Sequence, residues 1–243
     1  MTDNNKFLTY ISHFIVIIVI LILCGLGTWQ VARYNDKQVR IAQIETRAEQ
    51  GVLDHSRLPS LPLDDVRDVQ VQVQPLQVSE QVMWLDNRQR NGRVGYELIV
   101  PVQTESGWLL ANMGWRQGRK DRLSLPAVPL LTELNDELIG AVSVPGLNRF
   151  VQETAVNDGQ FPKVIQQIEF NGISALLGQP LLPYMLTVTQ THPDFERQWQ
   201  PVVMAPQKHL GYALQWFGLA IAAGVIYWIA RRRKSTREHL PNP

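Results

Sequence analysis

The chain has 243 residues, 23 Lys and Arg against 22 Asp and Glu, and a slightly negative mean hydropathy. This near-neutral balance leaves no basic footprint for nucleic acid, so no nucleic-acid partner is expected. A single cysteine, Cys24, excludes an internal disulfide framework, a cysteine-built zinc site and covalent cofactor attachment through Cys-x-x-Cys-His.

The average hydropathy hides two apolar ends around a polar middle. From Phe7 to Ala32 no residue is charged, and Phe14 to Leu26 is almost purely aliphatic. A bilayer's hydrocarbon core takes a helix of about 20 such residues. The run is too long for the apolar core of a secretory signal, and no small-x-small cleavage site follows it. Leu23 before Cys24 does not suit a lipoprotein signal. The stretch therefore predicts an uncleaved transmembrane helix with Trp29 in the interfacial belt. Arg33 to Gln50 reads as a helix continuing beyond the membrane, with Val39, Ile41, Ile44 and Ala48 loosely periodic and Gly51 as its stop.

Leu58 to Leu63 reads as a turn or extended linker. Strand signals follow. Val69 to Gln74 alternates strictly, as a half-buried strand does. Gln81 to Leu85 predicts a second strand, and Asn91-Gly92 a turn. Tyr96 to Val102 and Trp108 to Asn112 flank Thr104-Glu105-Ser106-Gly107 as a hairpin would. Glu137 to Val144, Lys163 to Ile168 and Leu182 to Thr189 predict further strands, and Asn171 to Leu177 a short helix. No long helix alternates with these strands, which argues against a doubly wound parallel sheet. A mainly antiparallel sheet or partial barrel is expected.

The second apolar run extends from Leu210 to Ala230 without a charge, and Arg231-Arg232-Arg233-Lys234 follows at once. Such a cluster stays cytoplasmic by the positive-inside rule. Lys6 before the first run, and Arg33, Lys37 and Arg40 after it, give a conflicting signal. The dense C-terminal cluster decides the orientation, with both termini cytoplasmic and the middle outside. The expected organisation is a tail and first span over 1–32, a β-rich extracytoplasmic domain over 33–208, a second span over 209–230 and a basic tail over 231–243. The fold class is thus an α+β membrane protein.

The chain carries no recognisable enzyme motif. Gly25-Leu26-Gly27 lies inside a span, where small residues serve helix packing. Gly218 with Ala222, and Ala220 with Gly224, form two small-xxx-small pairs of the same use. Gly114 to Lys120 lacks Walker spacing and reads as a turn with solvated basic charges. No Gly-x-Ser-x-Gly elbow occurs. Asp64-Asp65 reads as loop surface, and Asp86 with Arg88 and Arg90 as an ion-paired hairpin end. Of the histidines, His239 lies in the tail, and His55 and His192 read as solvated. His13 is near the cytoplasmic end of the first span, where ionisable groups are costly. His209 opens the second span and shares a helix face with Tyr212 and Trp216 at i, i+3, i+7. Pattern alone leaves two readings of His209: an interfacial capping residue, or an imidazole donor to iron. Tyr212 and Trp216 are either interfacial anchors or contacts to a flat, lipid-soluble ligand.

Three stretches carry a resemblance. They are Gly27-Thr28-Trp29-Gln30-Val31-Ala32-Arg33 with Lys37; Gly92 to Pro101, leading through Trp108 to Asn112-Met113-Gly114-Trp115; and His209 to Phe217. In order, in spacing and with two flanking spans, the chain resembles the surfeit locus protein 1 family of cytochrome c oxidase assembly factors. The family usually has arginine where Met113 stands, and asparagine and threonine where Lys208 and Gln215 stand. The resemblance implies a non-enzymatic protein of the bacterial inner membrane that binds haem a non-covalently or delivers it to the oxidase catalytic subunit. It would work beside the haem a synthesis machinery. Carried onto this sequence, the iron ligand is His209, with Trp29, Gln30, Tyr212 and Trp216 structural or lining the pocket. The alternative is a cofactor-free scaffold that stabilises an oxidase subunit intermediate.

Overall fold

The computed structural model describes residues 2–49, 51–118, 124–129, 136–153, 155, 158–199, 201 and 204–238. In chain order the elements are α1 (Thr2–Glu49), β1 (Leu53–Asp54), a 3-10 helix (His55–Ser60), α2 (Leu63–Val66), β2 (Gln70–Val73), β3 (Gln77–Val78) and β4 (Met83–Arg90). After these come β5 (Arg93–Thr104), β6 (Gly107–Gln117), β7 (Leu138–Ser143), β8 (Lys163–Ile165), α3 (Phe170–Leu177), β9 (Leu181–Val188) and α4 (Pro206–Glu238). The chain divides into two compact units, one of Met1–Gln43 with Val202–Pro243 and one of Ile44–Pro201.

The first unit is a helix pair. Tyr10–Glu49 and Pro206–Arg233 are each long and apolar enough to cross a membrane. On α1, His13, Ile20, Gly27 and Tyr34 recur every seven residues on the less exposed face; on α4, Pro206, Ala213, Ala220 and Tyr227 do the same. A seven-residue repeat keeps one seam against a partner helix along its length. The seam is antiparallel. The His13 and Tyr227 rings meet edge to face at 5.4 Å. A Cβ on Gly224 would stand 3.9 Å from the Ile20 side chain, and one on Gly27 would strike the Phe217 ring at 2.7 Å. Gly27 is therefore a point of close approach, as its place in a small-residue stretch predicts. Of the two small-xxx-small pairs on α4, Ala220 with Gly224 lies on the seam. Gly218 and Ala222 are exposed and do not. Away from the seam the apolar side chains point outward: Leu214, Ile221 and Ile226 are all about two-thirds exposed.

The second unit is built on one nine-stranded mixed sheet, in the order β1-β2-β7-β9-β6-β5-β4-β8, with β3 against β5. The expected antiparallel pairs dominate: β2–β7, β3–β5, β4–β5, β5–β6 and β7–β9. Three pairs are parallel, β1–β2, β4–β8 and β6–β9. Parallel neighbours require a crossover connection, so their pairing leaves no local turn signal. The Asn91-Gly92 turn joins β4 to β5 with φ of 50° and 74° at its two residues. That is the primed turn whose twist suits a two-residue hairpin, and glycine takes such a φ without strain.

Both faces of the sheet are covered. Along β5, Leu98, Val100 and Val102 join one apolar cluster, while Ile99 joins the other. Likewise β6 sends Leu109, Ala111 and Met113 to the first and Leu110 to the second. This double burial is why these strands read as continuous apolar runs rather than alternating ones. The second face is closed by α3 through Ile173 and Leu177. Glu169 caps that helix, accepting hydrogen bonds from the amides of Asn171 and Gly172. The last turn of α1 belongs to this unit as well, and Arg47 donates to the Arg67 carbonyl.

Some expectations are corrected. Leu58 to Leu63, expected as a turn or extended linker, runs from a 3-10 helix into the start of α2. His55–Ser60 forms a 3-10 helix, and the Asp54 carboxylate accepts from the Ser56 amide at its start. Leu58 is wholly buried, which holds this segment against the first cluster. Of Gly114 to Lys120, expected as a turn, Gly114 to Gln117 continues β6, while Arg119 and Lys120 lie outside the described residues. Asp86 does not pair with Arg88 and Arg90. It accepts from the Asn87 amide at 2.6 Å, beside the irregularity between Leu85 and Arg88. Both arginines face Glu97 across the hairpin instead, at 3.7 and 3.4 Å.

Candidate functional site

The residues singled out on α4 fall unevenly around the helix. His209 and Trp216 are half-buried at the seam, and Tyr212 stands at its rim, 45% exposed. Lys208 and Gln215, the two positions that depart from the family pattern, are exposed. The sequence does not show which residue meets His209. Gln30 of α1 brings its Oε1 within 2.8 Å of His209 Nδ1. The resemblance makes Gln30, like Trp29, structural or pocket-lining without pairing it with His209. No local signal pairs it with a histidine 179 positions away; the signal is the heptad seam, which places both on facing stripes.

The bond has a chemical consequence. With Gln30 Oε1 as the acceptor, Nδ1 carries the hydrogen and donates it. Nε2 then holds the imidazole lone pair. Histidines that ligate a metal commonly have their other nitrogen engaged by such a supporting group. A haem iron needs only one or two axial protein donors, so a lone imidazole beside aromatic side chains suits it. Among the described residues there is no group of three or more His, Cys, Asp or Glu that could hold a metal ion without such a macrocycle.

The other histidines sort differently. His13 meets Tyr227 at the far end of the same seam. His192 is half-buried, its ring tilted against Phe195 and its Nδ1 accepting from the Asp194 amide. His55 is not solvated but 4% exposed, with Nε2 3.3 Å from the Tyr184 hydroxyl. Burial lowers the His55 pKa below the usual 6.5 and pushes Tyr184 up to about 12. His239 lies outside the described residues. A cleft of about 170 Å³ beside His55, lined by Asp54, Gln72, Thr104 and Glu105 among others, brings together no ligand set of its own.

The middle motif lies in β5 and β6 and is tied into the sheet unit by its polar contacts. Glu97 accepts from Asn112 Nδ2 at 2.9 Å besides facing the two arginines. Trp115 donates its indole N–H to the Arg88 carbonyl, and Arg93 stacks over the Trp115 ring while pairing with Glu196 at 2.6 Å. Met113, where the family usually has arginine, is buried in the first cluster. Its carbonyl accepts from Arg197 Nε at 2.7 Å, and burial lowers the Arg197 pKa to about 10.

Comparison with known proteins bears on the whole chain. The SURF1 family profile matches residues 17–221. The chain is 26% identical over 242 residues to a SURF1-like protein of Rickettsia conorii, covering 95% of each. It is 25% identical over 235 residues to one of Rickettsia felis, covering 91% of this chain and 97% of the relative. It is likewise 25% identical over 230 residues to one of Rickettsia bellii, covering 91% of each. The matched span contains all three motifs, and on that ground the chain belongs to the SURF1 family.

Proposed function

We propose that this protein is a membrane-anchored, non-enzymatic assembly factor for cytochrome c oxidase that holds haem a through His209. One observation carries the reading: His209 is braced at Nδ1 by Gln30, leaving Nε2 as a donor on the seam of two apolar helices. Haem a is lipid-soluble, so a site at the edge of the bilayer takes it up and releases it without passage through water. Tyr212 and Trp216 supply aromatic surface one and two turns along. The bound group would supply the iron and the macrocycle; the chain supplies one imidazole and its orientation.

The membrane reading draws on both helix ends. Arg33 lies over the Trp29 ring at 5.7 Å and Arg232 over the Trp228 ring at 3.9 Å, a pairing suited to a lipid interface. Arg231, Arg232 and Arg233 are exposed after the second apolar run, so that end faces the cytoplasm and His209 the outer side. The sheet unit then lies outside the inner membrane, where it meets the oxidase catalytic subunit.

The test is purification of the full chain from inner membranes after co-expression with a haem a synthesis system. A visible haem a spectrum is expected in the wild type and its loss in His209→Ala. An unchanged spectrum in His209→Ala removes the ligand role. A colourless wild type that co-purifies with the oxidase subunit supports the scaffold reading instead. Reporter fusions at residue 205 that stay cytoplasmic would overturn the topology.

A further inference from the structure

We infer that Gln30 is the positioning residue of the haem site, and that its neutral carboxamide makes His209 a ligand built to let go. The inference rests on the haem reading above and deepens it. A histidine in water mostly carries its proton on Nε2, the nitrogen that must be bare to bind iron. Here the Gln30 oxygen at 2.8 Å holds the proton on Nδ1, so the donor nitrogen is prepared before any ligand arrives. The two helices supply one atom each, and the close approach of Gly27 to Phe217 constrains their spacing less than one turn of α1 away. The ligand is thus competent only when α1 and α4 are paired.

The identity of the acceptor sets the strength. A carboxylate behind an imidazole draws the Nδ1 proton toward itself and raises the basicity of the metal-bound nitrogen. A carboxamide accepts the same bond without a charge and raises it less. A permanent cofactor site gains from the stronger push; a site that must pass its cargo on gains from the weaker one. Gln30 gives orientation with modest donor strength.

The experiment uses the full chain in detergent, with 15N-labelled histidine, first without haem. The His209 signals are identified as those missing in His209→Gln. Wild type is expected to show a protonated Nδ1 and a bare Nε2. Gln30→Leu should lose that state, and Gln30→Glu, which keeps an acceptor, should retain it. Iron protoporphyrin IX is then titrated at about pH 8.5. Gln30→Leu is expected to bind it roughly 10–100-fold more weakly than wild type. Gln30→Glu should bind more tightly, release haem more slowly to apomyoglobin and show a more negative midpoint potential. A wild-type His209 protonated at Nε2, or a Gln30→Leu chain with unchanged tautomer and affinity, overturns the inference. A Gln30→Glu chain no tighter than wild type overturns the tuning. Wild type with the Nδ1 proton in place but no affinity for the porphyrin overturns the haem reading, and the tuning role with it, while the hydrogen bond stands.

Discussion

In the sheet unit Trp84, Leu98 and Leu110 are wholly buried, and charged residues such as Arg93 and Glu196 meet near the surface. In the helix pair the pattern is reversed: Leu214, Ile221 and Ile226 are exposed, while His13, Gln30, His209 and Tyr227 lie on the seam. The first arrangement is what water selects. The second suits lipid, where apolar contact between helices gives little driving force and small residues and polar pairs do the joining. Stability therefore resides mainly in one unit and the candidate chemistry in the other, and the two should respond differently to mutation.

The largest effect is expected in the sheet. Trp84→Ala opens a cavity where both strand neighbours are buried and should cost about 3–5 kcal/mol. The measurement is thermal unfolding followed by near-ultraviolet circular dichroism. A loss under about 1 kcal/mol would mean the sheet core is not the main source of stability. Next comes Gly27→Leu, which drives a side chain into the Phe217 ring and should cost the helix pair about 1–3 kcal/mol. Cross-linking between α1 and α4 in membranes reads this directly. Phe217→Ala in the same chain should recover part of the loss, and independent, additive effects would deny the contact.

A smaller effect separates the units by pH. His55 has a folded pKa below the usual 6.5, so as pH falls the unfolded chain takes up the proton first. Its contribution is complete above about pH 6.5 and is lost as pH falls below that toward the folded value. Melting of the wild type at about pH 7.5 and 5.5 should differ, and His55→Gln should shrink the difference. An equal slope in both would place the acid sensitivity elsewhere. The smallest stability change is expected for Gln30→Leu, about 0.6 kcal/mol for one hydrogen bond between apolar helices. Set against the expected 10–100-fold loss of ligand affinity, it would mark a residue that serves the site far more than the fold. A stability loss as large as that of Gly27→Leu would reverse that assignment.

Much of the sheet was readable in the sequence because its signals are local. The alternation in Val69 to Gln74 appears as β2, the Asn91-Gly92 turn joins β4 to β5, and Thr104 to Gly107 closes the next hairpin. Gly51 follows the end of α1. What escaped depends on partners far along the chain. Nothing near Arg88 names Glu97 as its counter-charge, and nothing near His55 announces Tyr184. The candidate site shows the same divide. His209 was visible as a lone imidazole at the start of an apolar run, whereas Gln30 gained meaning only once two helices stood side by side. The sevenfold spacing of His13, Ile20, Gly27 and Tyr34 was present throughout, but a stripe without its opposite stripe does not say what it faces.

The bare α-carbon at position 27, close against an aromatic ring 190 residues downstream, ties the first and third motifs into a single packing unit. Relatives that gain a methyl or hydroxymethyl there should have shed volume at the position of Phe217, and those that keep the ring should keep the glycine. Drift at the beginning of this chain is thus answerable to its end.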